Sequence, residues 1–286
     1  MMSIVYLNGD FIDASEAKVS VLDRGFLFGD GVYEVIPVYN GQLFRLEPHL
    51  KRLQCSLSRI RMDFDWTLQQ WQQMLEQLIS QNKGKNLALY LQVTRGFVAK
   101  RDHRFPENPS PTIFAMVNPL PPLLTEQEIL PCTAITVEDI RWKNCDIKSI
   151  SLLGNVLLAQ QAAESSADES ILINDGIATE GSISNMFIVK DGQVFSSKKD
   201  NRILGGITRE LVIELLSQNN ISVIEKEITV EELKNADEIW LTSSTKEIRP
   251  VIELDGEKIG DGVVGPVWKK AIKIYLEYKL KLYQDS

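Results

Sequence analysis

Thr179-Glu180-Gly181-Ser182-Ile183-Ser184-Asn185-Met186-Phe187, followed by Ile203-Leu204-Gly205-Gly206-Ile207-Thr208-Arg209, is the stretch on which the reading of this chain turns. After Thr208, the residues Leu211, Val212, Leu215 and Leu216 fall at helical spacing, so the glycine pair stands where a helix begins. Glycines there let a backbone approach a phosphate, and the unpaired N–H groups of a first turn, with the helix dipole, favour its negative charge. Thr208 adds a hydroxyl donor. Two glycines before a helix are a weak signal alone, because tight turns use glycine for positive φ in every class of protein. Glu180 reads in two ways, as a turn carboxylate capping a backbone N–H or as the partner of a ring nitrogen that must stay protonated.

Upstream, Cys145-Asp146-Ile147-Lys148-Ser149-Ile150-Ser151-Leu152-Leu153-Gly154-Asn155 isolates one lysine ahead of a long apolar pattern. A lysine amine attacks a carbonyl only when neutral, and apolar neighbours such as Ile147 and Ile150 lower its pKa towards that state. A fixed amine of this kind suggests an aldehyde cofactor. The other reading is a solvated lysine at a strand end, which is what a single lysine usually is. The lysine block, Glu-Gly-Ser-x-x-Asn-x-Phe and Leu-Gly-Gly-Ile-Thr-Arg together arise by chance far less readily than any one of them.

In order, spacing and residue types these blocks resemble the fold-type IV pyridoxal-phosphate enzymes. That class holds branched-chain aminotransferases, aminodeoxychorismate lyases and D-amino acid transaminases, and the chain most resembles the last. The similarity runs nearly end to end, from Asp23-Arg24-Gly25-Phe26-x-Phe28-Gly29-Asp30-Gly31-Val32-Tyr33-Glu34 through Val137-Glu138-Asp139-Ile140-Arg141-Trp142 to Thr242-Ser243-Ser244-Thr245. The resemblance implies pyridoxal 5′-phosphate as cofactor. It makes Lys148 the lysine that carries the cofactor as a Schiff base and then the base that moves a proton between Cα and C4′. It makes Glu180 the partner of the pyridine nitrogen and Leu204 the residue packed against the ring. Arg52, in His49-Leu50-Lys51-Arg52-Leu53, becomes the phosphate-binding arginine, with Ile207, Thr208 and Ser244 closing round the phosphate. Without the resemblance, Arg52 reads as an exposed arginine on an amphipathic helix whose buried stripe is Leu46, Leu50, Leu53 and Leu57.

Arg101-Asp102-His103-Arg104-Phe105-Pro106-Glu107-Asn108 resembles the Arg-x-His-x-Phe-Pro segment of D-amino acid transaminases. The resemblance implies that Arg101, His103 and Tyr33 hold the substrate carboxylate and thereby decide which Cα hydrogen faces Lys148. An arginine fork suits a carboxylate because it binds it bidentately. The other reading is a basic loop tip, since Lys100, Arg101 and Arg104 crowd together. The chain departs from the pattern in Phe97-Val98-Ala99-Lys100, one residue longer than expected, which puts the substrate range in doubt because Lys100 could compete with Arg101. Ser196 and Ser244 stand where threonine is commoner, and both keep a hydroxyl. The implied reaction is a ping-pong transamination, D-alanine and 2-oxoglutarate giving pyruvate and D-glutamate. Three alternatives stay open: a branched-chain L-aminotransferase, which should lack the Arg-x-His segment, an aminodeoxychorismate lyase, and a non-catalytic binder of the cofactor. The family pattern also implies a homodimer, the Arg-x-His loop reaching the neighbouring subunit's site.

With 286 residues, 44% hydrophobic and 24% charged, the chain is long enough for two modest domains with cores. The net charge of −8 argues against nucleic acid or anionic membrane as main partner, and the resemblance implies small amino and 2-oxo acids. No metal is expected. Met1 to Asp10 has no basic leader and no apolar run spans a bilayer, so cytoplasm is the expectation. Cys55, Cys132 and Cys145 are odd in number and dispersed, as reduced thiols are, and Cys145 reads as structural. The expected fold is α+β in two domains, a small N-terminal α/β lobe over 1–118, a proline-stiffened linker at 119–122 and a larger lobe with a mixed, barrel-like sheet over 123–286. Strands fit 4–8, 31–39, 87–94, 112–117, 130–137, 169–173, 185–189, 222–228 and 238–242. Helices fit 47–60, 67–81, 152–164, 208–219 and 267–282. The cofactor is expected between the lobes.

Overall fold

The computed structural model describes residues 3–121 and 125–284, with side chains described as far as residue 281. The chain forms two compact units, 1–122 with 147–152 and 123–146 with 153–286. The sequence pattern has the second lobe running unbroken from 123, whereas 147–152, Lys148 included, groups with the first unit. Of the expected linker, Pro119 is the last residue of a strand, and Pro122 lies outside the described residues.

The first unit contains β1 (Ile4–Leu7), β2 (Asp10–Asp13), α1 (Arg24–Phe28), β3 (Gly31–Tyr39), β4 (Gln42–Leu43), α2 (Leu46–Arg59), α3 (Leu68–Ser80), β5 (Leu87–Thr94) and β6 (Thr112–Pro119). They make a six-stranded antiparallel sheet in the order β2-β1-β6-β5-β3-β4. Leu87, Leu89, Leu91 and Val93 alternate along β5 and bury one face of the sheet, as a period of two requires. Leu50, Leu53 and Leu57 of α2 and Trp71, Leu75 and Leu78 of α3 cover that face. α3 starts where it does because Thr67 and Gln70 form a capping box, a device worth about 1 kcal/mol. Its apolar residues then recur at three- and four-residue steps from Trp71 to Ile79. β4 pairs only with the far end of β3, at Val38 and Tyr39. The near end of that edge is therefore open, and 147–150 fills it. Ser149 bridges Val32, the Tyr33 N–H donates to the Lys148 carbonyl at 3.0 Å, and the Ile150 N–H donates to Gly31 at 3.1 Å. Ile147 joins the first unit's core, which is why this segment belongs there.

The second unit contains β7 (Cys132–Glu138), α4 (Leu153–Glu164), β8 (Glu169–Asn174), β9 (Ile177–Gly181), β10 (Asn185–Lys190), β11 (Gln193–Ser197), α5 (Ile207–Gln218), β12 (Val223–Lys226), β13 (Ile228–Thr229), α6 (Val230–Lys234), β14 (Glu238–Ser243), β15 (Glu247–Leu254), β16 (Glu257–Lys258) and α7 (Pro266–Gln284). Its sheet is mixed, in the order β12-β11-β10-β14-β15-β7-β8-β9-β13, with β16 on β15. The strand expected over 222–228 is broken at Glu227. β12 pairs parallel with β11 and β13 antiparallel with β9, at opposite ends of the order. One residue separates these two end strands, so the sheet must curl until its ends meet, which is the barrel-like closure. Met186, Ile188, Ile171, Ala178, Ile239 and Val251 fill the interior. The strands at 177–181, 193–197 and 247–254 are additions to the sequence-based expectation. β15 carries Pro250, which reads against a central strand; it is tolerated because pairing of β15 with β7 begins only at Val251. No helix among the described residues is long and apolar enough to cross a membrane.

Candidate active site

In β3 the residues Val32, Glu34 and Ile36 share the face that α2 covers, and Glu34 is fully buried there. A carboxylate on that face must be paired. Arg52 supplies Nε and Nη2 at 2.7 Å each, and His49 Nδ1 lies 2.8 Å from Glu34 Oε2. Burial opposes ionisation of Glu34, yet the Arg52 guanidinium, with His49, holds its carboxyl down to about 2. Burial pushes His49 below the ordinary histidine range against the pull of Glu34, so the ring is neutral and donates through Nδ1. Arg52, expected on an exposed helix face or at a phosphate, is thus almost enclosed, its side chain 12% exposed. The depressed pKa of Glu34 contributes stability that is present above pH 4.5 and lost as pH falls towards 2, roughly 3 kcal/mol in all. Urea unfolding at stepped pH should show that Glu34→Gln removes this part of the acid sensitivity. Equal pH slopes in both proteins would refute the pairing.

Lys148 is half-buried between the buried Ile147 and Ser149. Its main chain is held by β3 and by its own N–H, which donates to Ser56 Oγ at 3.2 Å. Its Nζ stands 4.2 Å from the centre of the Tyr33 ring, and Tyr33 stacks on Tyr90 at 5.6 Å. Burial, with Tyr33 beside it, pushes the Tyr90 phenol up to about 12, so Tyr90 stays a neutral donor to Gln92. Two of the expected site residues, Tyr33 and Lys148, are therefore together.

Arg101 and His103 are exposed and lie on one ring. The Arg101 guanidinium is 4.7 Å from the centre of Phe28, and the His103 ring is 5.1 Å from it. Among the described residues neither makes a hydrogen bond or ring contact with Tyr33 or Lys148. Arg104 turns to Asp102 at 2.9 Å, whose carboxyl it holds down to about 2, and so points away from the ring that Arg101 meets. The longer segment before Arg101 is tied down: Phe97 bridges Asp23, and the buried Val98 donates its N–H to Leu22 at 3.2 Å. Gly96 before it has φ of 86°, and a methyl there would overlap the Ser110 carbonyl.

In the second unit Glu180 lies on β9, not in a turn, and is buried, as is Asn185, with the half-buried Arg141 beside it. Arg141 Nη1 donates to Oε1 at 2.7 Å, while Asn185 Nδ2 and the Leu204 N–H donate to Oε2 at 2.9 and 3.0 Å. Arg141 is itself held side-on by Asp139, at 2.9 Å from both Nε and Nη2. Burial still pushes the Glu180 carboxyl up to about 7 against the pull of Arg141. A buried carboxyl poised in that way can take one more cationic donor. Asn185 Nδ2 also donates to the Leu204 carbonyl at 2.8 Å, which ties the loop before α5 to Glu180. A methyl on Gly206 would overlap Asn185 Oδ1, so only glycine fits at that N-cap. No side chain caps α5, and Ile207 and Thr208 in its first turn are buried. Such a turn can accept an anion. Ser196 Oγ donates to Met186 and accepts from Arg209 Nε at 3.0 Å, a role in which serine replaces threonine without loss. Ser244 sits half-buried in the turn between β14 and β15. Cys145 is buried, donates to the Trp142 carbonyl, and has its thiol pushed up to about 12 by burial, consistent with a structural residue.

Arg141, Asn185, Glu34 and His49 stand in the sequence motifs without a role of their own, and the pairing of Glu34 with Arg52 and His49 is not anticipated there. One signal for it is present, a glutamate in a strand pattern between Val32 and Ile36.

The model of the family described as amino-transferase class IV matches residues 31–254. D-alanine aminotransferases from Bacillus licheniformis and Staphylococcus haemolyticus are 43% and 41% identical to the chain over 265 and 278 residues. These matches cover 93% of both chains for the first, and 97% of this chain and 98% of its relative for the second. The crystal structure of a branched-chain aminotransferase from the thermophilic archaeon Thermoproteus uzoniensis, with norvaline, superposes with a TM-score of 0.86 at 28% identity, covering 96% of this chain and 94% of the other. With likeness that extends across both units and through the Lys148, Glu180 and Gly206 segments alike, the chain belongs to the class IV aminotransferases.

Proposed function

We propose that this aminotransferase moves amino groups between D-amino acids and 2-oxo acids, D-alanine and 2-oxoglutarate giving pyruvate and D-glutamate. Pyridoxal phosphate is its cofactor and supplies, when bound, an aldehyde for amines and a ring that withdraws electrons from Cα. The residues present fit that group. Glu180, pushed up to about 7 by burial against the pull of Arg141, suits a protonated ring nitrogen. The uncapped first turn of α5, with Ile207 and Thr208, suits a phosphate, and the family resemblance assigns Arg52 and Ser244 to the same group. Leu204, held through its backbone by Glu180 and Asn185, is the residue that would pack against the ring. Lys148 would carry the cofactor through Nζ and then move a proton from the substrate Cα to C4′ of the cofactor, with the Tyr33 ring beside the amine. Tyr33, Arg101 and His103 hold the substrate carboxylate.

The observation that carries the D-amino acid reading over the branched-chain one is the Arg101 and His103 pair, gathered on Phe28 in a held loop. Mixing the holoenzyme separately with D-alanine, L-alanine and L-leucine, while following conversion of the cofactor's aldehyde form to its amine form, tests it. Conversion by D-alanine alone is expected. Conversion by L-leucine alone would move the protein to the branched-chain group.

The active form is a homodimer in the cytoplasm. α4 leaves Leu153, Val156 and Leu157 exposed at 72%, 59% and 51%, an apolar face suited to a second copy. Sedimentation at the mass of one chain would reject the dimer.

A further inference from the structure

The Asp23–Asp30 segment has so far had no part in the reaction. We propose that Arg24 and Phe28 are positioning residues that set Arg101 and His103 for the substrate carboxylate, so that recognition of the acid group is tuned from α1; this rests on the reading of Arg101 and His103 given above.

Charge fixes the backbone of the loop. Arg24 and Arg95 are both buried and both bind one carboxylate, Asp30, whose Oδ2 accepts from Arg24 Nε at 2.7 Å and from Arg95 Nε at 2.8 Å. Two guanidinium groups on one carboxylate leave positive charge uncompensated where water is scarce. The loop supplies the compensation. Arg24 Nη1 donates to the carbonyls of Asp102 at 2.6 Å and Arg104 at 3.2 Å, and Nη2 donates to that of His103 at 3.3 Å. Three consecutive carbonyls turned to one guanidinium fix the path of the backbone that carries Arg101 and His103. Lysine could not do this, because it lacks the planar fork.

Phe28 then fixes the side chains. Its ring takes the Arg24 and Arg101 guanidinium groups at 4.7 Å each and the His103 ring at 5.1 Å. At the far end of the loop Phe105 lies 3.8 Å from the Arg95 guanidinium, so both arginines of the Asp30 cluster grip the segment. Arg101 and His103 are exposed, and an exposed arginine free of these contacts would lose rotamer entropy on meeting a carboxylate. Held on Phe28, it has already lost it. Asp23 keeps α1 in place, accepting from the hydroxyls of Thr94 at 2.8 Å and Thr112 at 2.7 Å.

The test uses holoenzyme carrying Phe28→Leu, Phe28→Tyr, Arg24→Lys or Arg101→Gln. Three quantities are read: KM and kcat for D-alanine, binding of propionate as a carboxylate without an amine, and the rate of trypsin cleavage after Lys100, Arg101 and Arg104. Phe28→Leu is expected to raise KM and weaken propionate binding about threefold, with kcat little changed, and Phe28→Tyr to restore both. Arg24→Lys is expected to weaken both about tenfold and to speed cleavage of the loop. If Arg101→Gln weakens propionate while Phe28→Leu and Arg24→Lys leave KM and propionate binding unchanged, the positioning role is overturned and the reading of Arg101 stands. If Arg101→Gln itself changes neither, that reading fails and takes the inference with it. Should Arg24→Lys fail to fold, the Phe28 pair decides alone, and a fall in kcat without a change in KM counts against the proposal.

Discussion

Lys148→Ala is expected to lower D-alanine turnover by about four orders of magnitude while costing the fold under about 1 kcal/mol. The two effects separate because different atoms carry them. The backbone of Lys148 donates to Ser56 and accepts from Tyr33, and alanine keeps both bonds. The side chain contributes one cation–π contact with Tyr33 at 4.2 Å. On the proposed mechanism its loss would leave neither a covalent tether for the cofactor nor a base at Cα, while the residues proposed for the phosphate would remain. Thermal unfolding and steady-state turnover on the same preparation check both halves. Activity within tenfold of the parent protein would remove Lys148 from the mechanism, and a collapse in stability would show the residue to be structural.

Glu180→Gln should cut the D-alanine half-reaction by about 10²- to 10³-fold and destabilise the protein by about 1–3 kcal/mol. The carboxylate accepts from three donors, Arg141 on Oε1 and Asn185 and Leu204 on Oε2. An amide places an NH2 against one of these groups whichever way it is turned, so donor meets donor in a buried site. It also cannot bear the negative charge that holds a proton on a ring nitrogen. The pH dependence has a sign opposite to that of Glu34. Because burial raises the Glu180 carboxyl to about 7, the folded protein favours its proton, and the stability this contributes is present below about 4.5 and lost as pH rises through 7. The protein without cofactor should therefore lose roughly 3 kcal/mol across that window, and Glu180→Gln should lose none of it. A variant with the parent's pH profile would show that Glu180 is not the group that titrates.

Local order was legible where one face of an element does one job. α2, α3 and α5 follow from apolar residues at three- and four-residue steps, and β3 and β5 follow from long runs rich in branched residues. β9 was illegible because it is short and its burial arises only when the sheet closes. β15 was illegible because Pro250 speaks against a strand unless the start of its pairing is known.

The site divides in the same way. Lys148, Glu180, Arg52, Thr208 and the Arg101 segment could be picked out because a residue type at a given spacing is a property of the chain alone. Their partners could not. Glu34 meets Arg52 and His49 at separations of 18 and 15 residues because a strand face and a helix face happen to be packed together. Arg141, in the loop after β7, reaches Glu180 on β9 across 39 residues. Arg24 reaches the loop at Asp102 across 78. The sequence by itself determined the α+β class, the main helices and the candidate residues for transamination. Only the tertiary structure decided which charges are buried, which are paired, and that 147–150 completes the open edge of β3. The physical reason is that helix and strand patterns are local properties of the backbone, whereas burial and charge compensation exist only once distant segments exclude water from one another.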